Sequence, residues 1–86
     1  MHLRAASDVV YQEIDDEVVL LKLGSQESYG LGEVGAHVWK LLLETGDLAT
    51  TSRRLCEEYS GDSSTIDKEL TELVGELLDA GLLERV

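Results

Sequence analysis

The sequence has no proline and no phenylalanine, and only one tryptophan, one methionine and one cysteine. Without proline, the chain is expected to consist of regular elements joined by glycine and polar turns. Without phenylalanine, leucine and valine must build most of the core around Trp39. A lone Cys56 permits no internal disulfide, which excludes a disulfide-stapled secreted scaffold. No apolar run reaches the ~18 residues that a membrane-spanning helix needs. The segment from Met1 to Asp8 carries Arg4 but no apolar stretch of the kind that makes a signal peptide. These absences point to a cytoplasmic chain.

Positive charge is also scarce. Seven Lys and Arg face 18 Asp and Glu, a net charge of -11. Phosphate backbones and anionic membranes are recognised through Lys and Arg, so nucleic acid and membrane surfaces are excluded as partners. The field favours a cationic or neutral partner, although surplus acid also serves solubility alone. At 86 residues the chain is expected to form a single domain, residues 1–86. It should bury a little over ~60% of its unfolded surface.

The first third reads as strands. Val9 to Ile14 is β-rich and Asp15-Asp16-Glu17 follows as a turn. In Val18 to Leu23, Val19, Leu21 and Leu23 share one face, and Val18, Leu20 and Lys22 the other. After Gly24 to Glu27, a third short strand, Ser28 to Leu31, puts Tyr29 and Leu31 on one face. Short turns between such strands predict an antiparallel meander. The rest reads as three helices. The first spans Glu33 to Thr45, with Val34, Val38, Leu41 and Leu42 at helical spacing beside Trp39. Gly46 suits the left-handed position that ends it, and Asp47 can cap the next helix. That second helix carries Leu48, Ser52, Leu55, Cys56 and Tyr59. Ser60-Gly61-Asp62 breaks the chain, and Ser64 with Asp67 forms an acidic variant of a capping box. The third helix carries Ile66, Leu70, Leu73, Val74, Leu77 and Leu78. Gly81 ends it, and Leu82 to Val86 is an extended tail. The expected fold class is α+β: a three-stranded antiparallel meander followed by three helices, with the shape of a winged helix-turn-helix.

No set of polar residues converges on catalysis. His2 lies at a terminus expected to fray, and His37 has no Cys, Asp or second His at i+3 or i+4. Cys56 lies on an apolar stripe beside Glu57 and Glu58, a setting for a buried, inert thiol. Gly61 to Thr65 lacks the alternating acids of a calcium loop and reads as capping. Gly30, Gly32 and Gly35 begin a G-x-G-x-x-G pattern without its final glycine, and read as strand-edge and helix-start features. No metal or cofactor is expected, and the chain does not read as an enzyme.

What remains is surface able to hold a peptide. The strand Ser28, Tyr29, Gly30 and Leu31 is last in its sheet, so one edge is open to strand addition. The third helix supplies a side wall. Its stripe centres between Leu70 and Leu77, and one flank carries Asp67, Thr71, Val74, Gly75 and Leu78. The other side carries Glu69, Glu72 and Glu76 as a solvated acidic face. The competing reading is that Val74 and Leu78 are simply core.

The stretch Ser28-Tyr29-Gly30-Leu31-Gly32-Glu33-Val34-Gly35-Ala36-His37-Val38-Trp39 resembles the PqqD-like family, also called RiPP recognition elements. There a Tyr and a Leu on the third strand lead into a Gly-Ala pair and an Ile/Val-Trp. Leu55 and Tyr59 match the family's second helix, and Leu70, Leu73, Val74, Leu77 and Gly81-Leu82 its third. The resemblance runs from Val9 to Leu83 and departs at Gly32, where the family often has an Asn cap. It implies a protein that binds the leader segment of a ribosomally made precursor peptide between the third strand and the third helix. The peptide-binding residues it implies are Ser28, Tyr29, Gly30, Leu31, Asp67, Leu70, Thr71, Val74 and Leu78. Free-standing members serve lasso-peptide maturation beside a separate cysteine protease and a cyclase. Two alternatives are an acyl or peptidyl carrier and a winged-helix DNA binder. Against the first, Asp62-Ser63-Ser64 opens the third helix and lacks the Leu of an attachment site. Against the second stands the charge.

Overall fold

A computed structural model describes residues 1–59 and 62–86. Ser60 and Gly61, expected to break the chain, lie outside the described residues. The elements are β1 (Leu3–Ala5), β2 (Val9–Ile14), β3 (Glu17–Lys22), β4 (Glu27–Leu31), α1 (Glu33–Thr45), α2 (Leu48–Glu58), α3 (Ser63–Asp79) and β5 (Leu83–Arg85). The expected α+β meander with three helices is present.

The meander is antiparallel in the order β2-β3-β4. Its register pairs Tyr11 with Leu20 and Leu20 with Tyr29, so these three share a face, and Val18 and Leu31 join them. That face is the inner one: Val18 and Leu20 are fully buried, whereas Val19, Leu21 and Leu23 look outward. Trp39 on α1, also fully buried, anchors the core beneath the sheet. The Tyr11 ring meets it edge to face, with centroids 5.8 Å apart. The next turn of α1 adds Leu42 to the same core, but Val34, counted in the helix stripe, is 63% exposed.

The start of the chain differs from the expectation of fraying, while the extended tail is present as a strand. β1 and β5 form an antiparallel pair with Leu3 opposite Arg85 and Ala5 opposite Leu83. Leu3, Leu82 and Leu83 are buried there. His2 bridges to Asp47, and the Val86 N–H donates to the His2 carbonyl. Burial of three leucines and closure of main-chain bonds hold the ends together, a gain that no local pattern reveals.

The helix boundaries follow their caps. Gly46 has φ 67°, the left-handed conformation that ends α1, and its N–H returns to the Leu42 carbonyl. Asp47 caps α2 by accepting from the Thr50 N–H at 3.0 Å and the Thr50 hydroxyl at 2.7 Å. The Thr50 hydroxyl, then its N–H, hold the Asp47 carboxyl below the usual carboxylate value. On α2 only Thr51 and Leu55 are buried, and Cys56 is half-buried rather than buried. Thr51 is tolerated in the core because its hydroxyl donates to the Asp47 carbonyl at 2.9 Å. The expected Ser64–Asp67 capping box does not form. Asp62 is the cap of α3, accepting from the Ser64 N–H at 3.1 Å, and Asp67 instead accepts from Ser52 on α2. Helix-to-helix bonding takes precedence over the local box.

Candidate functional site

Strand β4 pairs on one side with β3, and among the described residues no strand covers its other side. Alternate N–H and C=O groups along that edge are therefore free to pair with an added strand. A Cβ at Gly30 would meet nothing within 4 Å. Tyr29 and Leu31, facing inward, are half-buried against the core. The Tyr29 hydroxyl donates to Glu27 Oε2 at 2.7 Å. That bond lowers the Glu27 carboxyl from its ordinary value and raises the Tyr29 phenol, so both keep their usual charge near neutral pH.

Between α1, α2 and α3 the surface opens into an apolar cavity of about 350 Å³. Val34, Gly35 and Val38 of α1, Leu55 of α2, Tyr59, and Ile66, Leu70 and Leu73 of α3 line it, with Glu69 adding a carboxylate. Gly35 matters here because the Leu31 side chain lies 3.4 Å from where a Cβ would stand, so strand and helix meet closely. Tyr59 has a defined neighbour. His37 Nε2 lies 2.5 Å from Glu58 Oε2, and the His37 ring stands edge-on to Tyr59 at 6.4 Å. A second hollow, more polar, lies beside the first and shares Val34 and Tyr59 with it. At the other end, Lys22 of β3, which pairs with Glu27 of β4, reaches the Ala80 carbonyl at the close of α3 at 3.4 Å.

The expected site residues separate into groups. Ser28, Tyr29, Gly30 and Leu31 form the open edge, and Leu70 lines the cavity although it is only 3% exposed. Val74 is 2% exposed and belongs to the core, so the competing reading holds for it. Leu78 is half-buried against that core. Asp67 is tied to Ser52, and the Thr71 hydroxyl bonds back to the Asp67 carbonyl at 2.8 Å. The cavity thus opens on the Ile66, Glu69 and Leu73 flank of α3, opposite the flank carrying Asp67 and Thr71. Glu69, read as part of a solvated face, borders it. Ile66, Leu70 and Leu73 recur at helical spacing, but nothing along the chain says which flank meets α1. Among the described residues, no group of three or more His, Cys, Asp or Glu could hold a metal ion.

The family model for coenzyme PQQ synthesis protein D (PqqD) matches residues 17–83. The fold is similar to that of TbiB1, solved in complex with the TbiA(beta) leader peptide. The two chains are 37% identical, with 94% of each covered and a TM-score of 0.88. A lasso peptide synthetase B1, complexed with the leader peptide, has the same fold at 23% identity. There the TM-score is 0.87, with 98% of this chain and 99% of that one covered. No curated protein matches.

Proposed function

The chain belongs to the PqqD family, and from that premise we propose that it holds the leader segment of a ribosomally made precursor peptide and presents it to partner maturation enzymes. The observation that carries this reading is the open β4 edge with an apolar cavity near its end, Leu31 of the strand packing on Gly35 of the cavity lining. The edge gives any peptide main-chain bonds, and the cavity selects which side chain follows. The leader pairs with Ser28 to Leu31 and sets an apolar side chain between α1 and the Leu70, Leu73 flank of α3. Asp67, Thr71, Val74 and Leu78 are left out of direct contact in this arrangement. The likeness to TbiB1, whose structure holds a leader peptide, supports the same occupant.

In this reading residues 1–86 act as one recognition domain in the cytoplasm, without cofactor. Chemistry belongs to its partners, a separate cysteine-type leader protease and a cyclase. The test is a synthetic, fluorescein-labelled leader of the cognate precursor peptide. Its anisotropy is expected to rise to saturation with added protein, and its mass to stay unchanged on prolonged incubation. A leader altered by the purified chain alone, or one that never saturates, contradicts the proposal.

A further inference from the structure

The outer face of the sheet gathers several large apolar side chains in water. Val10 and Ile14 of β2, Val19 and Leu21 of β3, and Leu23 just beyond it are between 36% and 54% exposed. An antiparallel sheet packed on one side ordinarily turns polar residues to water on the other. Here both faces are apolar, although Val18 and Leu20 already satisfy the core. Contiguous apolar surface of this kind marks an interaction site.

We propose that this face docks the enzyme that receives the held peptide, a partner bearing an apolar patch rimmed by Lys or Arg. The inference rests on the function proposed above. Charge selects the occupant. Asp15, Asp16 and Glu17 lie at the β2–β3 turn that ends the patch, and Asp8 lies against Gly24 at its other end. The cations of this region are turned elsewhere, Arg4 to Glu84 and Lys22 to Ala80. A second copy would set acid against acid on chains of net charge -11, and an anionic bilayer would be repelled likewise. Continuity supports the same occupant. The register sets Val10, Leu21 and Ser28 in one row across the outer face, and Gln12, Val19 and Gly30 in the next. A leader strand added at β4 prolongs those rows, so its outward side chains join the same surface. The partner then contacts carrier and peptide together.

The test is the double variant Val19→Thr/Leu21→Thr, which keeps strand-forming residues on exposed positions. Val10→Thr/Ile14→Thr serves if circular dichroism shows that the first has lost structure. Leader affinity, read by anisotropy, is expected to stay within about twofold of wild type. Leader removal by the separate cysteine protease, held below saturation, is expected to slow at least about tenfold and to recover as protease is raised. Unchanged cleavage alongside normal leader binding overturns the docking face alone. Wild-type protein that binds no leader overturns the functional reading and this face with it. Dimerisation in sedimentation, or binding to phosphatidylglycerol vesicles, that the variant abolishes assigns the face to another occupant and equally overturns the proposal.

Discussion

Replacing Leu73 by Asp is expected to weaken leader binding at least about a hundredfold while leaving the fold in place. Leu73 is half-buried on α3 and lines the cavity, so its side chain is reachable by a peptide without being central to the core. A carboxylate there meets Val34, Val38 and Ile66 with no cation in the cavity lining. Leaving such a charge unpaired under a bound apolar side chain costs several kcal/mol, and each ~1.4 kcal/mol is tenfold in affinity. Leu73→Met, which conserves volume, is expected to cost under about 1.5 kcal/mol of stability and to keep leader affinity near that of wild type. Anisotropy titrations with the labelled leader compare the two, after circular dichroism shows both folded. If Leu73→Asp binds within about threefold of wild type, the cavity does not take part.

The largest effect on stability is expected at Trp39. Removing a buried Trp side chain costs about 3–5 kcal/mol. A chain of 86 residues has roughly 4–13 kcal/mol in total, at ~0.05–0.15 kcal/mol per residue. Trp39→Ala should therefore lose a large fraction of that stability and take the Tyr11 edge contact with it. Val34→Ala, on the same helix but 63% exposed, should shift stability by no more than about 0.5 kcal/mol. Urea unfolding followed by far-ultraviolet circular dichroism checks both. Trp39→Ala with a wild-type midpoint would show that the helices do not depend on this anchor.

Much of this fold could be read from local pattern. The first helix, Glu33 to Thr45, falls on the bounds observed, because Gly46 must turn left-handed and Asp47 must cap. The meander follows from strand alternation and turns, and the stripe of the third helix identifies Leu70 and Leu77 as buried. What escaped depends on distant partners. Leu3 pairs with Arg85 across the whole chain, and His37 finds Glu58 on another helix. Thr51 looks polar along the chain but is buried because its hydroxyl has the Asp47 carbonyl to bond. The open strand edge was legible from β4 being last in the meander. The flank of α3 that borders the cavity was not, since helical spacing fixes a stripe but not the helix facing it.

In the proposed complex a leader adds as a strand at β4 and fills the neighbouring cavity. Amide hydrogen exchange with and without saturating leader tests it most directly. New protection is predicted at Ser28 to Leu31, together with slower exchange around Ile66 to Leu73 on α3. Protection appearing instead along β2, the other edge of the sheet, with β4 unchanged, would contradict the account.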